Sequence, residues 1–172
     1  MGKWLDHTVI SEIHAPVELV WKFWSDLDSM PLWMTWIESV KAVDQKTSTL
    51  PDLTEWTLAA NGFRFKWKAQ ITERIEAEKL EWKSVGGLPT KGSVRFYNEE
   101  RSKTVVKLKI SYELPQVLAN LMKANILGGI VTKELQKNLV GFKELVEKSV
   151  SYTHLTLPTM SGVWIWVGGG WV

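Results

Sequence analysis

The sequence predicts an α+β fold: a curved antiparallel sheet of about seven strands wrapped on a long C-terminal helix, with two short helices after the first strand. Three observations predict it. Residues 53–114 alternate apolar and polar side chains in segments separated by turn residues, and no helix of normal length interrupts them, so neighbouring strands must run antiparallel. Residues 115–148 instead repeat apolar side chains at three- and four-residue steps, the signature of one buried helix face. The run WKFWSDLDSMPLWMTWIESV, Trp21 to Val40, begins with helical spacing and loses it after Ser25. A sheet with one dry face needs a cover, and only the final helix is long enough to supply it.

Trp4 to His14 reads as the first strand, carrying β-branched Thr8, Val9, Ile10 and Ile13. Ala15-Pro16 ends it, and Pro16 suits the first turn of a helix whose apolar side is Val17, Val20, Trp21 and Trp24. Asp26, Asp28 and Ser29 supply a helix end and a new cap, and Pro31 the first turn of a second short helix. This bent pair brings Trp24, Trp33 and Trp36 to one side. A Trp ring buries a large area and its N–H then needs a partner, so the cluster is either a core staple or the rim of an apolar cavity. Ser39 to Asp44 reads as a short strand and Lys46 to Asp52 as a loop.

The five remaining strands are Leu53–Ala60, Phe63–Glu76, Leu80–Val85, Gly92–Glu99 and Thr104–Leu114. Asn61-Gly62 is a strong hairpin signal, because both residues tolerate positive φ. Strand parity puts Phe65, Trp67, Trp82, Phe96 and Tyr112 on one face and Arg64, Lys66, Lys83, Arg95 and Tyr97 on the other. In the helical stretch from Pro115, Leu118, Leu121, Met122, Val131, Leu135, Leu139 and Phe142 face inward, and Lys123, Lys133, Gln136, Lys137 and Lys143 outward. Gly128-Gly129 interrupts it, and a kink or a close backbone approach is expected there, since each Gly costs about 1 kcal/mol in a helix interior.

All 40 charged residues lie at or before Lys148, and the last 24 residues carry none. The run Val150 to Thr159, VSYTHLTLPT, resembles a translated transposase-type sequencing adapter. Residues 149–172 are therefore expected to be a read-through tail, and residues 1–148 the folded domain. A membrane anchor is the competing reading, but the tail's apolar part falls short of the roughly 20 residues a spanning helix needs. Net charge is +2 with acids and bases interspersed, so no basic footprint for nucleic acid is present. Without cysteine there is no disulfide, thiol nucleophile or thiolate metal site. The opening residues carry no secretory signal, and a cytoplasmic monomer is expected.

The opening APVELVWKFWSDLDSMPLWMTWIESV, the strands GFRFKWKAQI and LEWKSVGGLPTKGSVRFYNEE, and the long helix together resemble the START-like polyketide cyclase/dehydrase family over residues 1–148. The chain is similar in particular to coenzyme Q-binding START domains and to small cyanobacterial and plastid members. That resemblance implies the helix-grip fold, a sheet gripping a C-terminal helix over a ligand cavity. The ligand-binding residues expected on its wall are Trp24, Trp33, Trp36, Phe65, Trp67, Trp82, Phe96, Tyr112 and Met122. Fold alone does not choose among carriers, receptors and cyclases.

The residues offer little catalytic machinery. There is no Gly-x-Ser-x-Gly elbow and no Gly-rich phosphate loop. His7 and His14 lie seven apart on one strand, hence on opposite faces, and no metal or cofactor is expected. Tyr112 is the one inward-facing acid/base candidate, with Glu38 and Asp26 weaker. The leading expectation is a binding or carrier protein for a hydrophobic small molecule such as a lipid, isoprenoid quinone or polyketide-like compound, with transient membrane-surface contact compatible with that role. The alternatives are a cyclase/dehydratase acting by confinement with Tyr112 as acid, and an assembly factor with a closed core.

Overall fold

A computed structural model describes residues 3–43, 51–60 and 62–156. Seven strands form one antiparallel sheet: β1 (Trp4–Ile13), β2 (Ile37–Ala42), β3 (Leu53–Ala60), β4 (Phe63–Ile75), β5 (Lys79–Gly87), β6 (Thr90–Glu100) and β7 (Lys103–Glu113). Their order is β1-β7-β6-β5-β4-β3-β2, so β2 to β7 form a meander and β1 returns to the edge beside β7. Between β1 and β2 lie α1 (Val17–Trp24), a 3-10 turn (Leu27–Ser29) and α2 (Met30–Trp33), as expected from the capping residues. Asp26 accepts from the Asp28 N–H at 3.1 Å, and Pro31 sits in the first turn of α2. Most of the Lys46–Asp52 loop lies outside the described residues.

The sheet is bent rather than flat. Register shifts between Lys68 and Ala69 and between Ile71 and Glu73 break the β4–β5 ladder, and such irregularities curl a sheet. At its turn into β6, Gly87 holds φ at +84°, and a Cβ there would lie 2.2 Å from the Lys66 carbonyl oxygen. Only glycine fits this crossing of backbones.

The single helix expected from Pro115 is divided. α3 (Gln116–Ala119) is one turn, and α4 (Ala124–Thr156) begins after a break at residues 120–123. The interruption is thus upstream of Gly128-Gly129, through which α4 runs unbroken. A Cβ at Gly129 would meet nothing within 4 Å, and one at Gly128 only the His7 ring at 4.0 Å, so the pair marks neither a break nor a tight approach. Packing of the apolar face offsets the intrinsic cost of two glycines, because tertiary contact supplies most helix stability. α4 also continues past the boundary expected at Lys148, and Val150 is partly buried against the core. Residues 157–172 lie outside the described residues.

The space between sheet and α4 has two unlike halves. In one, Ile13, Val20, Val94, Val106, Leu139, Phe142 and Val146 are completely buried and form a solid core under α1. Truncating a side chain such as Phe142 there costs roughly 3–5 kcal/mol. Across the free edge of β1, side chains of α4 meet its open backbone groups: Gln136 and Lys143 donate to the Ile10 and Glu12 carbonyls at 3.3 and 2.6 Å, and Glu147 accepts from the His14 N–H at 2.7 Å. An open sheet edge is a liability, and these contacts occupy one end of it.

Candidate ligand-binding cavity

The other half is hollow. The N-terminal part of α4, α3 and strands β3 to β7 enclose a cavity of about 310 Å³, within the usual size range of small-molecule sites. Its wall is set by strand parity. Phe63, Phe65, Trp67, Ala69 and Ile71 of β4 point into it, as do Leu80 and Trp82 of β5 and Leu108, Ile110 and Tyr112 of β7. Leu127, Val131 and Leu135 of α4 close the opposite side, with Leu118 and Met122 at the α3 corner.

Eight of the nine residues expected on the wall are there: Trp24, Trp33, Trp36, Phe65, Trp67, Trp82, Tyr112 and Met122. They do so from unequal positions. Trp24 and Trp33 are each 3 % exposed, with ring centroids 4.9 Å apart, and both pack on Phe142, so they form the partition between core and cavity. Trp36, half-buried in the turn before β2, stands further out. Met122 reaches the wall from the α3–α4 turn rather than from a helix.

Phe96 is the exception. Its parity is inward as expected, but α1 covers that part of β6, and Phe96 packs edge-on against Trp21 and Trp24 at 5.5 and 5.9 Å. It belongs to the solid core because the first helix, not the last, covers its stretch of sheet. Asp26 and Glu38 do not line the cavity either. Asp26 caps the 3-10 turn, and Glu38 pairs with Arg64 at 2.7 Å on the exposed side.

Sequence reasoning missed Trp56, Thr90, Glu134 and Asn138. Trp56 could have been found. A two-residue turn at Asn61-Gly62 pairs Ala60 with Phe63 and therefore Trp56 with Trp67, and the two rings do stack, 6.0 Å apart and 6° from parallel. The Trp56 Nε1–H donates to Thr54 Oγ1 at 2.7 Å. Gly92, opposite Trp82 in the β5–β6 ladder, has no side chain because the Trp82 ring lies over it; a Cβ would sit 2.5 Å from that ring. Glu134 and Asn138 had no such signal, since their role depends on a residue far away in sequence. Both bond the Thr35 hydroxyl, tying the α2–β2 corner to α4 at the cavity's end.

His7 is buried on the inner face of β1 and His14 is exposed, as their spacing requires. His7 Nε2 is 3.1 Å from the Tyr112 hydroxyl and His7 Nδ1 is 2.8 Å from Thr132 Oγ1. The His7 and Tyr112 rings stack at 5.3 Å. Burial lowers the His7 pKa, with the nearby Asp6 charge opposing, so the imidazole is neutral at pH 7. Burial pushes the Tyr112 hydroxyl up to about 12. His7 also faces a second, polar hollow of about 250 Å³ between β1 and α4, shared with Lys3, Asp6, Asn125 and Thr132. Among the described residues no helix is long and apolar enough to cross a membrane.

A curled antiparallel sheet closed by a C-terminal helix over an aromatic cavity defines the helix-grip class of ligand-binding proteins. The chain belongs to the family described as polyketide cyclase/dehydrase and lipid transport, which matches residues 13–140. It is 28 % identical over 138 residues to an uncharacterised 17.2 kDa protein of Streptomyces lincolnensis, covering 80 % of this chain and 86 % of that one. A START superfamily protein from Mycobacterium smegmatis shares the fold with a TM-score of 0.69 at 13 % identity, covering 84 % of this chain and 99 % of the other. The ZhuI aromatase/cyclase of a Streptomyces species does so with a TM-score of 0.66 at 15 % identity, covering 87 % and 96 %. At these identities the likeness extends to the fold alone.

Proposed function

We propose that this protein binds and carries a hydrophobic small molecule, a lipid, isoprenoid quinone or polyketide-like compound, in the cavity between sheet and α4. The observation that carries the reading is the wall itself, in which aromatic and aliphatic side chains converge on an open space of about 310 Å³. Affinity would come chiefly from apolar burial, at roughly 25 cal/mol per Å². The open space argues against an assembly factor with a closed interior. A cyclase/dehydratase with Tyr112 as acid is less favoured, because a hydroxyl at about 12 is a weak proton donor at neutral pH and effective acids lie nearer the working pH.

Native mass spectrometry of the protein purified from its own host tests this directly, with a bound apolar small molecule as the expected result. Trp67→Ala is expected to enlarge the cavity and shift binding toward larger ligands in a graded series. A protein that neither retains a ligand nor takes up a neutral fluorescent probe such as N-phenyl-1-naphthylamine would sink the carrier reading.

A further inference from the structure

The cavity wall is largely apolar, with polar groups chiefly at two places: Glu134 and Asn138 at the end tied to Thr35, and a second patch where β6 and β7 run side by side at its α3 end. There Tyr112 and Thr90 are direct cross-strand partners, both on the wall, and cross-strand Cβ atoms lie about 5 Å apart. The Thr90 hydroxyl oxygen is buried with no hydrogen-bond partner. Leaving a buried hydroxyl unsatisfied is costly, so such an atom calls for a missing partner. Beside it the Tyr112 hydroxyl bonds His7 and retains capacity for one further bond. Two hydroxyls with unmet capacity thus share one patch of a largely apolar wall.

We propose that Thr90 and Tyr112 form a polar subsite that holds a neutral carbonyl or hydroxyl oxygen of the apolar ligand, with His7 and Thr132 as positioning residues. This rests on the carrier reading above and specifies its ligand. Charge decides against a carboxylate. The cation on this rim, Lys91, sits over the Trp4 ring at 5.1 Å, and the remaining groups of the subsite are neutral. An anion here would lose its water beside a cation already held over the Trp4 ring, and would share the cavity with the Glu134 carboxylate.

The chain Thr132–His7–Tyr112 explains why either oxygen would fit. A neutral imidazole has one donor and one acceptor nitrogen, and a hydroxyl can take either part. When His7 Nε2–H donates to the Tyr112 oxygen, the Tyr112 O–H is free to donate to a carbonyl. When Tyr112 instead donates to Nε2, its oxygen can accept from a ligand hydroxyl. The chain reverses without moving net charge, and the subsite accepts a ketone and the corresponding alcohol alike.

Displacement of N-phenyl-1-naphthylamine by four ligands of one shape provides the test: fluorene, 9-fluorenone, 9-fluorenol and fluorene-9-carboxylate. Ketone and alcohol are expected to compete about fivefold better than the hydrocarbon, the worth of one hydrogen bond, and the carboxylate worse than either. Tyr112→Phe with Thr90→Val should erase that preference while fluorene still binds. His7→Phe should weaken the preference, and His7→Gln, which restores a donor and an acceptor, should recover part of it. Equal competition by fluorene and fluorenone, a preference that survives the double variant, or a carboxylate that binds best would each overturn the subsite while leaving the cavity intact. A preference unchanged in His7→Phe would overturn the positioning role. Failure of the probe to bind at all would instead strike the carrier reading itself.

Discussion

The His7 imidazole shows how far one residue's environment governs its behaviour. It is buried between Tyr112 and Thr132, with Asp6 and Lys3 as the charged neighbours in the polar hollow it faces. Because its folded-state pKa lies below the unfolded value near 6.5, the unfolded chain binds the proton more readily. Stability should therefore be level above about pH 6.5 and fall as pH drops below it, the window from 6.5 to 5 lying above ordinary carboxylate titration. Thermal unfolding across that window measures the fall, and His7→Gln should flatten it; an equal slope in the variant would assign the effect elsewhere. None of this was legible in the sequence. Spacing separated His7 from His14 correctly, but the partners of His7 lie 105 and 125 residues away. Trp56 is the opposite case: it was missed, although a two-residue hairpin turn would have paired it with Trp67. Phe96 shows the limit of parity, which gives the face of a sheet but not which element covers it.

At the level of elements, the strands were legible because their period is two and their turns carry Gly, Asn and Pro. The final helix was legible in most of its face but not in its division, and Leu121, expected to face inward, falls in the break and is exposed. Intrinsic cost pointed to Gly128-Gly129, whereas the break falls at residues 120–123, after a single turn started by Pro115 and ended by Asn120. A propensity is a local quantity, and the packing of α4 along β1 overrides it. One prediction follows from the open surroundings of Gly129. Gly129→Ala should raise stability by about 1 kcal/mol, because a Cβ there meets nothing and the unfolded chain loses freedom. Chemical denaturation measures it; a loss of stability would mean that the glycine has a role in approach or bending after all. The ties from Gln136, Lys143 and Glu147 to β1 were also beyond sequence reasoning, which placed Gln136 and Lys143 on the outer face without their edge-strand partners.

For the molecule as a whole, the element order and the dry face of the sheet were legible, and together they define the fold. The hollow was legible only as an expectation, since a void is the mismatch between two surfaces and depends on the β4–β5 register shifts that no residue pattern announces. The proposed domain boundary at Lys148 can be tested by truncation. Removing residues 149–172 should lower the melting temperature by no more than about 4 °C, the scale of 1 kcal/mol in a domain of this size, since Val150 is the described side chain of that segment that touches the core. A larger fall would show that the segment belongs to the fold. The division into a solid half and a hollow half has a mechanical consequence. Unfolding eliminates internal void, so the volume change of unfolding scales with that void and pressure favours the denser state. The empty protein should therefore yield at lower hydrostatic pressure than the loaded one, by a margin larger than their difference in heat resistance suggests. Compression, read by tryptophan emission, would then report whether the chamber is occupied before the occupant has been identified.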